Sequence, residues 1–295
     1  MDVRDEEYAG MKQFYLILNP EKEQVQEVAG TIRSYLESHG CGCVICQEHG
    51  ETRLKDYKYT DASQVPKETE CVITLGGDGT LIQAARDLAG KEIPMIGVNL
   101  GTLGYLTQIS REEDVIRMLD DLILDQYQVE KRMMLKGSVY RRGRKIYEDL
   151  ALNEIVLTRR EMLRVLRFSI YVNGDCLNEY TADGMIAATP TGSTAYNLSA
   201  GGPIVEPSAR MTVLTPICPH ALNIRSIVFP AEDRIEIEMS GGEDRGQVVV
   251  FDGDAVWDVE PGDRILIEEA KTETVLIKLK HVSFLDNLRE KMAGI

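Results

Sequence analysis

Phe14 to Leu18 is an unbroken apolar run, and after it Val25, Val28, Ile32, Tyr35 and Leu36 recur at the spacing of one helix face. The pattern predicts a strand, then a helix stopped near Gly40. Cys43 to Cys46 and Cys71 to Leu75 read as two further strands, Thr80 to Ala89 as a helix ended by Gly90, and Ile93 to Val98 as a fourth strand. Ser110 with Glu113 has the form of a capping box ahead of a helix carrying Val115, Ile116, Leu119, Leu122 and Ile123. Strands alternating with helices predict a parallel, Rossmann-like sheet covered by helices.

From about Val129 the period changes to two, as in Arg234-Ile-Glu-Ile-Glu-Met239 and around Ile265 to Ile267. Arg142-Gly143, Asn173-Gly174 and Pro261-Gly262 mark turns between short strands, the signature of an antiparallel sandwich. Phe284, Leu288 and Met292 then restore helical spacing. The expected organisation is an α/β N-terminal domain over residues 1–127, an all-β sandwich over 128–280, and a C-terminal helix within 281–295 that packs back on the first domain.

Composition narrows the function. The chain has 295 residues, 43% hydrophobic and 27% charged, as folded globular proteins do. With 33 Lys+Arg against 48 Asp+Glu, the net charge of -15 offers no footprint for nucleic acid or anionic lipid. No apolar run reaches the ~20 residues that span a bilayer, and MDVRDEEYAG lacks the basic and apolar regions of a signal peptide, so a cytoplasmic location is expected. Six cysteines without framework spacing read as reduced thiols. His39, Cys41, Cys43, Cys46 and His49 are close in sequence, but on a strand Cys46 faces away from Cys41 and Cys43, so they read as small core residues and no protein metal ligand is assigned.

Leu75-Gly76-Gly77-Asp78-Gly79-Thr80 sits between a buried strand and a helix start, where free N–H groups and the helix dipole favour phosphate. Its glycines are expected to give positive φ and close backbone approach to a phosphate chain. A carboxylate repels phosphate, so Asp78 needs another explanation: it can take a proton from an attacking hydroxyl, or it can cap the helix, as Thr80 also can. Gly97 to Gly104 forms a second glycine-rich turn expected beside the first. Neither turn matches the usual dinucleotide or P-loop fingerprint. Asn153-Glu154 interrupts an apolar strand and needs partners there. Thr189-Pro-Thr-Gly-Ser-Thr194 supplies hydroxyls and N–H groups suited to a sugar or base edge, and Ser193 and Ser199 lack a nucleophile elbow.

Together these segments resemble the NAD kinase family over nearly the whole chain. Gly-Gly-Asp-Gly-Thr80 is shared with phosphofructokinases and with diacylglycerol and sphingosine kinases. Asn99 to Thr107, Asn153-Glu154, Asp183-Gly184 with Thr189 to Tyr196, and Phe284 to Lys291 look like NAD kinase. The resemblance implies transfer of the terminal phosphoryl group of ATP, with a divalent cation such as Mg²⁺, to the adenosine ribose 2′-hydroxyl of NAD, giving NADP. It implies that Asp78 is the base and that Gly79, Asn153, Glu154, Asp183, Thr194, Ala195, Tyr196, Asn197, Leu198 and Ser199 hold NAD in the β-sandwich domain and at the loop. Arg164 is a candidate phosphate contact and Asp254 a further NAD contact that the resemblance implies, with Gly76, Gly77, Thr80 and Asp252 as additional candidates. A homo-oligomer, dimer or tetramer, is also implied. The alternatives are a lipid kinase of the same superfamily, which lacks a basic membrane-facing segment here, and a non-catalytic dinucleotide-binding regulator, which would not need Asp78.

Overall fold

A computed structural model describes residues 10–19, 21–22, 24–46, 60–99, 104–160, 165–221, 223–240, 246–280 and 283–293. Arg164 and His49 fall outside these residues. The chain divides into two units, Met1–Lys131 with Val275–Ile295, and Arg132–Thr274.

The first unit contains β1 (Gln13–Leu18), α1 (Val25–Ser38), β2 (Gly42–Ile45), β3 (Cys71–Leu75), α2 (Asp78–Asp87), β4 (Met95–Val98) and α3 (Glu113–Ile123). The strands run parallel in the order β2-β1-β3-β4, as the alternation of elements predicts. Every residue of β3 and β4 is buried, which explains why both read as plain apolar runs. Leu16, Ile32, Leu36, Ile73, Met118 and Leu119 pack in one core. The order turns back between β1 and β3, so their carboxyl ends form a topological switch point, where ligands of open α/β sheets bind.

The expected capping box does not form: α3 starts at Glu113 without a side-chain cap. Ile109 bridges Val98, and the Asn99 N–H donates to Ile109 O at 2.8 Å. The neighbour of Ser110 is thus bound to β4, and the tertiary pairing overrides the local signal.

β5 (Tyr127–Arg141) runs from the first unit into the second, which continues with β6 (Arg144–Ala151), β7 (Glu154–Arg159), β8 (Leu166–Val172), β9 (Asp175–Ala182) and β10 (Gly184–Ala188). A 3₁₀ turn (Thr191–Thr194) and the single-turn α4 (Tyr196–Ser199) lead to β11 (Met211–Ile217), β12 (Ile227–Pro230), β13 (Ile235–Met239), β14 (Gln247–Phe251), β15 (Ala255–Val259) and β16 (Arg264–Leu279). One antiparallel sheet has the order β12-β11-β10-β7-β14-β15, and β16, β13, β8 and β9 pair antiparallel in another. Arg142-Gly143 and Asn173-Gly174 turn with positive φ at both residues, as two-residue hairpins require.

Phe168, Phe251, Met185 and Ile237 share a core between these strands. Phe168 is fully buried and stacks on Tyr180 with ring centroids 5.6 Å apart. Phe168→Ala is expected to cost about 3–5 kcal/mol, read as a lower urea midpoint for the fluorescence of Trp257 in the same unit. The C-terminal α5 (Phe284–Ala293) belongs to the first unit, where Lys291 Nζ lies 5.6 Å from the centre of the Tyr105 ring.

Candidate active site

The loop after β3 needs its glycines for close approach and not for left-handed backbone. Gly76, Gly77 and Gly79 are absent from the positive-φ glycines, which corrects the expectation of positive φ. A Cβ on Gly76 would lie 2.2 Å from Thr80 Oγ1, whereas one on Gly79 would meet nothing within 4 Å. Gly76 therefore lets the helix start fold tightly against β3, and Gly79 leaves an open face for a ligand.

Asp78 is the first residue of α2, yet that helix has no side-chain cap bond. Its carboxylate points to the second glycine-rich turn instead. Oδ2 accepts the Tyr105 N–H at 2.7 Å, and Oδ1 accepts Leu106 N–H at 3.3 Å, Thr107 N–H at 3.0 Å and the Thr107 hydroxyl at 3.0 Å. The two turns do meet, joined through this side chain. Four donors converge on a half-buried anion, while among the described residues Oδ2 accepts a single bond. Thr80 is not a cap either: it is buried, and its hydroxyl accepts from Asn19 Nδ2 at 3.4 Å.

Beside this loop is a cavity of about 310 Å³ lined by Lys22, Gln24, Val25, Leu75, Gly76 and Val98. It lies at the carboxyl ends of β3 and β4 and the start of α1, where the helix dipole favours an anion. Lys22 Nζ donates to Asn99 Oδ1 at 2.6 Å, which holds the ammonium at the cavity wall. Asn99 belongs to the second glycine-rich motif, but nothing in the sequence singles out Lys22, because their pairing spans 77 positions.

In the second unit, Asn153 and Glu154 are 8% and 7% exposed. Asp252 builds their backbone: its Oδ2 accepts Leu152 N–H at 2.8 Å, and its Oδ1 accepts Asn153 N–H at 2.8 Å and Glu154 N–H at 2.9 Å. Asp252 itself sits at φ 49°, followed by Gly253 at 78°, in the turn between β14 and β15. Asp252 thus supports the pair from behind, whereas Asp254 is exposed at the turn's end.

On the other side Thr189 N–H donates to Asn153 O at 2.8 Å, and Thr189 Oγ1 donates to Leu152 O at 2.6 Å. A Cβ on Gly192 would lie 2.1 Å from Asn153 O, so only glycine lets the 3₁₀ turn press this close. With their main chains fixed, one oxygen of each side chain is unmatched: among the described residues Asn153 Oδ1 and Glu154 Oε2 are buried without a hydrogen bond. Buried acceptors left unmatched are costly, and these two could be matched by donors of a ligand. Burial, with the Asp252 charge adding to it, pushes the Glu154 carboxyl up to about 8.

Other expected contacts divide by where they point. Tyr196 and Leu198 are 44% and 38% exposed, and Ser199 is exposed beside them. Between them Asn197 is fully buried; its Nδ2 donates to Ser193 O and Pro203 O, both at 3.0 Å, and its Oδ1 accepts the Thr215 hydroxyl at 2.6 Å. Its side chain is a brace for α4, not a ligand contact. The Ser193 hydroxyl is bonded to Pro190 O and Val205 N–H, and the half-buried Thr194 donates to Thr191 O at 3.4 Å, with Ala195 next to it. Most hydroxyls of this segment hold the turn itself, against the expectation that they face a sugar.

Asp183 pairs with Arg159 at 2.8 Å. It precedes β10, whose far end, Ala188, pairs with Glu154, so about 16 Å of strand backbone, at ~3.3 Å per residue, separates residue 183 from that pairing. Within this unit the structure does not bring Asp183 to the Asn153-Glu154 group.

Comparison with known proteins gives this architecture its relatives. The ATP-NAD kinase N-terminal domain matches residues 14–127, and the ATP-NAD kinase C-terminal domain matches residues 152–279. The chain belongs to the ATP-NAD kinase family. A protein named NAD kinase from Lachnospira eligens is 46% identical over 296 residues, covering 96% of this chain and 100% of that one. Another from Lachnoclostridium phytofermentans is 41% identical, covering 95% and 99%.

The crystal structure of a yeast NADH kinase with NADH superposes with a TM-score of 0.82 at 24% identity, over 98% of this chain and 89% of that one, a likeness of fold. An NAD kinase from Archaeoglobus fulgidus in complex with ATP gives 0.75 at 25% identity, over 96% and 99%. NAD kinases are phosphotransferases, and this family member is an enzyme of that class. Among the described residues no helix is long and apolar enough to cross a membrane.

Proposed function

We propose that the protein phosphorylates NAD at the adenosine ribose 2′-hydroxyl with ATP as donor. Asp78 Oδ2 takes the hydroxyl proton as the ribose oxygen attacks the γ-phosphorus. The new O–P bond forms while the bond to the bridging oxygen breaks, and ADP leaves with that electron pair. One observation carries this reading: Oδ2 is held at the head of α2, at the switch point, with a single donor on it among the described residues.

Asn153 Oδ1 and Glu154 Oε2 are the unmatched acceptors for adenosine and ribose donors, with Thr194, Ala195, Tyr196 and Ser199 flanking the adenine and Gly79 open to the dinucleotide. Asp183 and Asp254 are assigned to more remote parts of the NAD molecule. The protein works as a cytoplasmic homo-oligomer in this reading.

The donor's phosphates are assigned to the cavity beside Lys22, whose cation and neighbouring helix start both favour them. Lys22→Ala is expected to raise the KM for ATP roughly tenfold, the loss of one charge-assisted bond, with the KM for NAD unchanged in steady-state assays. A divalent cation fits this arrangement as a passenger of the donor. No group of three or more His, Cys, Asp or Glu side chains converges among the described residues, and Mg²⁺ held by phosphate oxygens and water needs no such cage. When bound it supplies positive charge to the phosphoryl oxygens. The test of the reading is formation of NADP from NAD, and of NADPH from NADH, with ATP, other triphosphates and polyphosphate. Tight NAD binding without NADP from any donor would replace the kinase by a dinucleotide-binding regulator.

A further inference from the structure

The Thr107 side chain is fully buried, and its hydroxyl is the one side-chain donor, beside three backbone N–H groups, among the described bonds to Asp78. Thr107 Oγ1 lies 3.0 Å from the Gly104 nitrogen and 3.0 Å from Asp78 Oδ1. Gly104 N–H can only donate and a carboxylate can only accept, so the hydroxyl proton must point at Asp78. With Thr107 N–H and Leu106 N–H on the same atom, Oδ1 is fully occupied by the protein.

We propose that Thr107 is a positioning residue for Asp78, one that assigns Oδ1 to the scaffold and leaves Oδ2 to face the acceptor hydroxyl. This rests on the reading of Asp78 as the base. The turn is built tightly enough to enforce the choice. A Cβ on Gly104 would lie 1.9 Å from Asp78 Oδ1 and 2.4 Å from Thr107 Oγ1, so any side chain there displaces the carboxylate.

The turn is itself anchored. Gln108 N–H donates to Gly97 O at 3.1 Å, and the Gln108 amide bonds to Ile277 O and, at 2.9 Å, to Leu279 N–H. Thr107 thus refers the reactive carboxylate to β4 and to the end of β16 that belongs to the first unit, while the three residues that hold it are remote from it in sequence.

The test compares Thr107→Val, which keeps the volume and deletes the hydroxyl, with Thr107→Ser, which keeps the hydroxyl. Valine is expected to lower kcat roughly 10- to 100-fold, with the KM values for NAD and ATP within about twofold, because misplacing a reacting group acts on turnover. Serine is expected to recover kcat to within about threefold, since its hydroxyl has the same donor and acceptor roles. In an Asp78→Asn background, valine should cost less than about threefold more, the non-additivity of residues that act as one unit. Gly104→Ala should lower kcat as valine does, and it tests the same geometry should the valine protein not fold.

The proposal is overturned if valine leaves kcat within about threefold, if serine is as poor as valine, or if valine has its full cost without Asp78. Failure of the underlying reading looks different: Asp78→Asn would then keep its turnover whatever residue 107 is.

Discussion

Asp78→Asn is expected to lower kcat for NADP formation roughly 10²- to 10⁴-fold, about 3–5 kcal/mol of barrier, while NAD still binds. The amide is nearly the same shape, so its oxygen can remain with the Leu106, Thr107 N–H and Thr107 hydroxyl donors. Its nitrogen then faces the Tyr105 N–H, where the carboxylate oxygen accepts at 2.7 Å. Two donors in opposition loosen this turn, and an uncharged amide cannot take the ribose proton. Both effects fall on turnover. Steady-state kcat, with NAD affinity measured by calorimetry, separates lost chemistry from lost binding. A variant with kcat within tenfold of the parent removes Asp78 from the mechanism.

The second large effect belongs to Glu154. Its carboxyl, pushed up to about 8 by burial and by Asp252, binds a proton in the folded chain that it would release at about 4.5 when unfolded. Between those values the folded state holds more protons than the unfolded one, so stability is fully present below about pH 4.5 and is lost as pH rises towards 8. The loss is on the order of several kcal/mol.

Urea midpoints followed by Trp257 should therefore fall from pH 5.5 to 8.5 in the parent and stay nearly flat in Glu154→Gln, relative to the parent's remaining pH dependence. Parallel curves would mean that the carboxyl is not held neutral. Ligand donors reverse the penalty. Because ribose hydroxyls favour the ionised form, NAD binding near pH 7 should release a proton, detectable by calorimetry in buffers of different ionisation heat.

Much of the fold is legible in the chain. The apolar runs at Phe14 to Leu18 and Cys71 to Leu75 mark strands buried on both faces, and Val25 to Leu36 marks a helix with one buried stripe, because burial imposes those periods directly. Arg142-Gly143 and Asn173-Gly174 mark hairpins because few residue pairs accept two positive φ values. The capping box at Ser110 was locally persuasive and wrong, since a bridge from Ile109 to β4 had prior claim on the backbone. At Asn197, expected to contact NAD with its neighbours, the side chain is instead a buried brace.

The chemistry divides along the same line. Sequence alone determined which groups are present: the carboxylate among glycines at Asp78, the polar pair Asn153-Glu154 within an apolar strand, and the family to which their arrangement belongs. Folding decided what each group is free to do. It tied three of the donors on Asp78 to one oxygen, put Asp252 behind Asn153 from 99 positions away, and left Glu154 Oε2 unmatched in the interior. Periodicity and propensity report on a residue and its near neighbours. Hydrogen-bond partners so distant along the chain leave no such trace, and their identity exists only once the strands have paired.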